Sequence, residues 1–137
     1  VVFDVQCVLF APCALGGSRS ETTSPLLKCR AVVGAANNQL ASDEDDDRLA
    51  AADILYAPDF VVNAGGIINI TEELRGYSWE RAAAAVDRIE ANVTNVFAAA
   101  EAQGVNPHVA AIGVARERIA TIGGLGTRRR AGRALTD

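Results

Sequence analysis

Residues 55–70, LYAPDFVVNAGGIINI, decide how the rest of this sequence is interpreted. An apolar run leads through Pro58 into Asn63-Ala64-Gly65-Gly66, which predicts a tight turn, and the apolar residues that follow predict a helix. The two glycines give the backbone freedom and remove both Cβ atoms, so that another group can approach closely. Asn63 offers a donor and an acceptor at the mouth of the turn. Taken alone, the stretch slightly favours a plain connection between a buried strand and a buried helix over a binding site.

The length and composition predict one modest domain with a core. Half of the 137 residues are hydrophobic and 22% are charged, which argues against wholesale disorder. The formal net charge is −4, with one lysine, Lys28, and one histidine, His108. Arginines 128–130 form a basic cluster, but it stands in a glycine-rich tail and not on a basic face. We therefore expect no nucleic-acid partner.

The three cysteines, Cys7, Cys13 and Cys29, are odd in number and contain no C-x-x-C pair. This spacing argues against a disulfide scaffold and against a zinc site, and it is typical of a reducing cytoplasm. The apolar residues 1–10 carry Asp4, lack a basic start and are too short to span a bilayer. We expect a cytoplasmic protein with no membrane segment and no metal.

Three short apolar runs at intervals of about 23 residues predict the strands of a parallel sheet: residues 7–11, 31–34 and 54–57. Residues 1–5 are a candidate further strand. Right-handed crossovers make the strands point the same way, so the loops after them meet at one edge of the sheet. In open α/β sheets the ligand lies in the crevice at that edge. With three such loops converging, a binding site becomes the better interpretation of residues 55–70.

Two weaker patterns lie between the predicted strands. Ser18 and Glu21 have capping-box spacing, which predicts a short helix broken near Pro25. Residues 43–47 form an acidic run that suits the first turn of a helix continuing through residues 48–52. A metal site in this run is conceivable, but a solvated helix start is the interpretation that we favour.

From Ile67 onward the sequence predicts helices. An amphipathic stripe with spacings of three and four predicts one helix that ends at Gly104; it consists of Trp79, Ala82, Ala83, Val86, Ile89, Val93, Val96, Phe97 and Ala100. Asn106 and Pro107 predict the start of a second helix, which runs to Gly123-Gly124. The predicted organisation is a partial nucleotide-binding domain at residues 1–66, a helical segment at 67–122 and a disordered tail at 123–137.

The three loops together carry a resemblance to a known family. Their sequences are APCALGG at residues 11–17, GAANNQL at 34–40 and LYAPDFVVNAGG at 55–66. In this order and at these distances they resemble the Glu/Leu/Phe/Val dehydrogenase family, and most of all its leucine and valine dehydrogenase branch. The resemblance runs from about Val8 to Gly104, with an outer limit at Arg118.

The resemblance implies an α/β fold: the second half of a Rossmann-type parallel sheet followed by C-terminal helices. It implies reversible NAD-dependent oxidative deamination of a branched-chain L-amino acid to its 2-oxo acid and ammonia. The family has a substrate domain followed by a Rossmann-type domain, with the reaction cleft between them. The implied partners are the amino acid or 2-oxo acid and, for the full-length enzyme, further copies of the same chain.

Site residues are implied only where this sequence matches the family motifs. Pro12, Cys13 and Ala14 would line the nicotinamide side of the cofactor groove. Asn37 would hydrogen-bond cofactor or substrate near the reacting carbon, and Asn38 would support it. The substrate side of the cleft would be shaped by the residues that follow: Asn63, Gly65, Gly66, Ile67 and Ile70.

The departures from the family concern its catalysis. Its two active-site lysines, its catalytic aspartate and its G-x-G-x-x-G phosphate loop belong to segments that this sequence does not match, and Lys28 stands in the wrong place. We therefore expect no catalytic residue in this chain and an inactive fragment of such an enzyme. The alternative is a non-catalytic nucleotide-binding or interaction module derived from the same scaffold.

Overall fold

Three parallel strands form a sheet in the first half of the chain, as far as the structure describes it. The computed structural model describes residues 2–14, 16–17 and 20–133, and for residues 125–133 only the backbone. The strands are β1 (Leu9–Phe10), β2 (Ala31–Val32) and β3 (Leu55–Tyr56), in the order β1-β2-β3. Leu9 pairs with Ala31, and Ala31 pairs with Leu55. The predicted parallel α/β architecture is confirmed, although each regular strand is shorter than its apolar run.

Two of the predicted elements in this half are wrong. Of the predicted strand at residues 1–5, the described residues 2–5 are not a strand, because Val2–Asp4 forms a 3-10 turn; Gln6 makes one isolated bridge to Lys28. The predicted helix near Glu21 is also a 3-10 turn, Ser24–Leu26, with Pro25 inside it. The side chains of Ser20 and Thr23 bond to each other and to the local backbone, which favours a turn over a helix. Ser18 lies outside the described residues.

The two faces of the sheet differ in what covers them. Phe10, Val32 and Tyr56 share one face, where Leu27 and Leu49 from the two connections between strands pack against them. A sequential strand order with crossovers of one hand puts both connections on the same face. Leu9, Ala31 and Leu55 share the opposite face, and Leu9 and Leu55 are about half exposed there, at 50% and 47%.

Six α-helices make up most of the rest of the described residues. They are α1 (Glu44–Ala51), α2 (Asp59–Val62), α3 (Gly65–Glu73), α4 (Trp79–Val86), α5 (Arg88–Gln103) and α6 (Pro107–Arg133). The predicted single helix from Trp79 to Gly104 is therefore two helices, interrupted at Asp87. The interruption is local, because the Asp87 amide still donates to the Ala83 carbonyl. Of the predicted stripe, Ala82, Val96 and Ala100 are buried, but Trp79 is 70% exposed.

The last helix begins as predicted and ends later than predicted. Gly104 terminates α5 in the left-handed region, at φ 64°, and Pro107 opens α6. The predicted end at Gly123-Gly124 is wrong, because the helical backbone continues to Arg133. Glycine inside a helix costs about 1 kcal/mol relative to alanine, which weakens a helix without ending it. Residues 134–137 of the predicted tail lie outside the described residues, and the predicted division at residues 66 and 122 stays a prediction.

The acidic run does begin a helix, but it is not fully solvated. Asp45 and Asp46 are buried. The Asp45 carboxylate accepts hydrogen bonds from the Ser42 amide and from Arg48. Asp46 accepts a backbone hydrogen bond from His108, and the Asp47 carboxylate accepts one from the Asn106 side chain at 2.6 Å. Two carboxylates of α1, those of Asp46 and Asp47, thus dock on the N-terminus of α6, where the helix dipole favours negative charge.

No metal site or membrane span emerges from these elements. In residues 2–14, 16–17 and 20–133, no three His, Cys, Asp or Glu side chains are arranged to hold a metal ion. Within the same part of the chain, every helix is too short or too polar to cross a bilayer.

The loops after β1 and β2 press against each other. The Pro12 carbonyl accepts from the Ala36 amide at 2.9 Å, and the Asn38 carbonyl accepts from the Gly17 amide at 2.6 Å. A Cβ atom at Gly34 would collide with the backbone of Pro12, and one at Gly16 would collide with the Asn37 carbonyl. Glycine at these two positions is therefore required by close backbone approach.

We expect the free energy of unfolding to change with pH as the carboxyl group of Asp46 titrates. Burial raises the pKa of this carboxyl, against a smaller lowering by His108, and Asp43 and Asp47 add to the rise. The folded state therefore holds the proton more tightly than the unfolded state. Stability from this group is present at low pH and is lost as the pH rises through the raised pKa. Urea unfolding of the purified chain should show wild type losing stability relative to Asp46→Asn between pH 4 and pH 7. A pH-independent difference would contradict the burial of Asp46.

Gly34→Ala should destabilise the chain by roughly 1–3 kcal/mol or more, because the added methyl group must push two backbone segments apart. Gly65→Ala is the matched control. Apart from its chain neighbours and the backbone of its own helix, no described atom lies within 4 Å of a Cβ at Gly65, and alanine suits the helix that it begins. Thermal unfolding of both variants checks this difference. Equal melting temperatures would mean that the two loops are not in contact as described.

Candidate functional site

An open cleft lies where the loop after β2 faces α2 and α3. Its volume is about 790 Å³. The lining combines side-chain amides, aliphatic groups and one carboxylate: Ala35, Asn37, Asn38, Asp59, Phe60, Asn63, Ala64, Gly66, Ile67 and Ile70. The cleft is at the carboxyl ends of β2 and β3, the edge at which ligands bind in sheets of this kind. Six of the ten residues predicted to form the site line it.

Two of the amides in the cleft are bonded to each other. Asn63 donates through Nδ2 to Oδ1 of Asn37 at 2.6 Å, which joins the loop after β2 to the end of α2. Within the described structure, this bond leaves the Nδ2 group of Asn37 and the Oδ1 atom of Asn63 without a partner. The pair therefore presents one donor and one acceptor side by side at the cleft.

Asn38 occupies the sharpest point of the same loop. Its backbone is in the left-handed region, at φ 51°, where asparagine is the most tolerated residue after glycine. Its side chain is exposed and lines the cleft, and its carbonyl holds the loop after β1 through Gly17. The strained position of Asn38 thus belongs to the junction of the two loops.

The predicted residues of the first loop lie beside the cleft and do not line it. Pro12 is buried, with its carbonyl bonded to Ala36. Cys13 and Ala14 are exposed on the same loop. The structure therefore brings Asn37, Asn38 and Asn63 together and leaves Pro12, Cys13 and Ala14 on a neighbouring surface.

The glycine pair does not form the tight turn that the sequence predicts. Gly65 and Gly66 are the first residues of α3, and neither has a positive φ. Only Gly66 lines the cleft; Gly65 borders a separate apolar hollow of about 220 Å³, between α3 and α4. Among the described residues, the close backbone approaches are at Gly16 and Gly34 instead. The missing Cβ at Gly66 simply keeps the cleft open.

The two predicted substrate-side isoleucines are exposed. Ile67 and Ile70 are 63% and 53% accessible and stand three residues apart on one face of α3. Both line the cleft. Packing in the core of the described structure is therefore excluded for them, and their apolar surface faces the cleft.

Sequence reasoning missed the buried polar residues beneath the cleft. Gln39 is fully buried, and its side-chain amide donates to the carbonyls of Gly34 and Ala36, at 2.7 and 2.9 Å. Its backbone amide donates to Oδ2 of Asp59 at 2.7 Å. The available signal was weak: Gln39 ends a polar run, and Asp59 follows Pro58 as an ordinary first residue of a helix. Gln39 and Asp59 are buried because they bond to each other, and the sequence pattern around each residue does not indicate this.

The aromatic groups near Asp59 complete the surroundings of the cleft. Burial, and then the charge of Asp59, raise the pKa of Tyr56, so its hydroxyl stays protonated throughout the physiological range. Phe60 lines the cleft and meets the His108 ring edge-on, with the ring centroids 5.6 Å apart. Among the described residues that line the cleft, Asp59 is the one carboxylate. The cleft is thus a mostly neutral site that suits binding by amides and apolar contact.

Comparison with known proteins gives this cleft its context. The family model for Glutamate/Leucine/Phenylalanine/Valine dehydrogenase matches residues 1–123. Leucine dehydrogenase of Geobacillus stearothermophilus is 44% identical over 121 residues, which cover 88% of this chain and 33% of that protein. Valine dehydrogenase of Streptomyces coelicolor is 45% identical over 112 residues, covering 82% of this chain and 31% of that enzyme. The chain therefore spans about a third of the length of these relatives.

A solved structure agrees with the sequence relatives. The crystal structure of L-tryptophan dehydrogenase from Nostoc punctiforme superposes with a TM-score of 0.83 at 41% identity, over 87% of this chain and 36% of that chain. The same relationship thus appears in sequence and in fold. Since the family model spans most of the described residues, the chain belongs to the Glutamate/Leucine/Phenylalanine/Valine dehydrogenase family.

Proposed function

We propose that this chain forms the cofactor- and substrate-binding wall of an NAD-dependent dehydrogenase that acts on a branched-chain L-amino acid. The overall reaction converts the amino acid, NAD⁺ and water into the 2-oxo acid, ammonia, NADH and a proton. The observation that carries the proposal is the Asn37–Asn63 pair, which stands beside Ile67 and Ile70 in one cleft. Family membership supports the dehydrogenase class, and the cleft supports the assignment of binding to these residues.

The free groups of the amide pair fit the ligands of this reaction. The donor on Asn37 suits a carbonyl or carboxylate oxygen, and the acceptor on Asn63 suits an amine or carboxamide N–H. A nicotinamide carboxamide and an amino acid both carry such groups. When bound, NAD would supply the acceptor for the hydride that leaves the substrate carbon. Asn37 and Asn38 would hold the reacting end, while Pro12, Cys13 and Ala14 would flank the cofactor on the neighbouring loop.

The chemistry assigned to this chain is orientation and not proton transfer. Neutral amides do not titrate near neutral pH, so Asn37 and Asn63 can orient a carbonyl but cannot act as a general base. We assign the acid–base residues to the two thirds of the enzyme that lie outside the matched region. On its own, the 137-residue chain is then expected to show no turnover.

The test uses a completed enzyme, defined here as Geobacillus stearothermophilus leucine dehydrogenase with its matching third replaced by this chain. The completed enzyme should oxidise leucine or valine with NAD. Asn37→Ala should lower kcat/KM by roughly 10- to 100-fold, as expected when a hydrogen bond worth about 1–3 kcal/mol is lost. Steady-state kinetics at neutral pH measure the change.

Asn95→Ala is the matched control, because Asn95 is exposed on α5 and does not line the cleft. It should leave kcat/KM unchanged. A completed enzyme that folds and binds a nucleotide but shows no turnover would favour the non-catalytic module. Equal values of kcat/KM for Asn37→Ala and Asn95→Ala would show that the amide pair is not part of the binding site.

Ile67→Ala should shift the substrate preference of the completed enzyme from valine toward phenylalanine. Removing a branched side chain widens the pocket, and each methylene in such a pocket is worth about 1–3 kcal/mol of discrimination. We expect the ratio of kcat/KM for phenylalanine to that for valine to rise at least about tenfold. Ile119→Ala, at an exposed position on α6, is the control. An unchanged ratio in Ile67→Ala would show that this isoleucine does not contact the substrate.

A further inference from the structure

A buried carboxylate connects α2 to the loop that carries the amide pair. Asp59, the first residue of α2, is buried, and its Oδ2 atom accepts from the backbone amide of Gln39 at 2.7 Å. Its own backbone amide donates to the hydroxyl of Tyr56 at 3.2 Å. Tyr56 also belongs to the hydrophobic core. Asp59 therefore stands on a rigid base, with its carboxylate committed to the loop after β2.

Gln39 carries this connection into the turn of the loop. The side-chain amide of Gln39 donates to two carbonyls of the same loop, those of Gly34 and Ala36. Because a carbonyl oxygen can only accept a hydrogen bond, the end of the Gln39 amide that faces both carbonyls is its NH₂ group. Asn37 and Asn38 lie inside the loop that these bonds close, and Asn38 has the left-handed backbone. The shape of the turn thus depends on where Gln39 is held.

The other end of α2 holds the same loop at a second point. Asn63, the C-terminal cap of α2, donates to Oδ1 of Asn37 at 2.6 Å. One end of the helix therefore fixes the loop backbone, through Asp59, and the other end fixes the Asn37 side chain. Two attachments to one short helix define both the position and the rotation of that side chain.

We propose that Asp59 is a positioning residue that fixes the Asn37 side chain in the cleft, acting through Gln39 and the turn at residues 34–39. The inference deepens the proposed function and rests on it. Asp59 touches no reacting atom in this scheme. It acts because small displacements of a group that orients the substrate have large effects on rate.

A double-mutant cycle in the completed enzyme tests this role. Asp59→Ala should lower kcat by roughly 10- to 100-fold with a smaller change in KM. Asp59→Asn keeps an oxygen acceptor in the same place and should recover most of kcat. In the Asn37→Ala background, Asp59→Ala should lower kcat by less than about threefold further, because the group that it positions has already been removed. Asp87→Ala, at the exposed junction of α4 and α5, is the control and should change neither constant.

The outcomes separate this inference from the proposed function. If Asn37→Ala lowers kcat/KM but Asp59→Ala has the same fold effect with and without Asn37, the positioning role is overturned and the proposed function stands. If Asn37→Ala has no kinetic effect, both are overturned. A general structural role would lower the melting temperature without the dependence on Asn37.

Gln39→Met supplies a second variant in case Asp59→Ala does not fold. It removes the two carbonyl contacts of the side chain while leaving the backbone bond to Asp59 and the Tyr56 contact intact. It should show the same loss of kcat and the same dependence on Asn37. Full activity in a folded Gln39→Met enzyme would overturn the proposed path from Asp59 to the turn.

Discussion

The parallel hydrogen-bond ladder that continues beyond the strands is the constraint on which the cleft depends. Each regular strand has only two residues, but Val33 donates to Phe10, Ala57 donates to Val32, and Ala36 donates to Pro12. The ladder thereby extends into the loops and fixes them relative to each other. Backbone bonds tie the loop after β1 to the loop after β2, and the side chains of Gln39 and Asp59 then fix the turn that presents Asn37 and Asn38 to the cleft.

Local signals in the sequence were enough to predict the sheet and the location of the cleft. The apolar runs containing Leu9, Val32 and Tyr56 are short and end at proline or glycine, and they recur at regular intervals. Parallel pairing then forces the following loops to one edge. Asn37, Asn63 and Ile67 could be placed near each other from this argument and the family motifs, without any knowledge of side-chain contacts.

Features that depend on contacts between distant segments could not be predicted in this way. Asp46 and Gln39 resemble surface residues in sequence, and each is buried because a partner from another element meets it: α6 for Asp46, and the start of α2 for Gln39. The glycines were misjudged for the same reason. Gly34 and Gly65 look alike in sequence, but only Gly34 faces another backbone. The sequence likewise predicted one helix through Asp87 where the structure has two, because the apolar periodicity continues across the local interruption.

The docking of α1 on α6 has a consequence for the order in which the chain can assemble. The hydrogen bond between Asp47 and Asn106 joins residues 59 positions apart. The entropy lost on closing a flexible segment grows with its length, so this bond is costly to form before the intervening chain is compact. The pairing of α5 with α6 requires only the short connection at Gly104, and its cost is far lower. The contact between the first turn of α1 and α6 is therefore expected to form late in folding, after the part that contains α1 and the pair of α5 and α6 have each become compact. It adds stability only when both of these parts have formed.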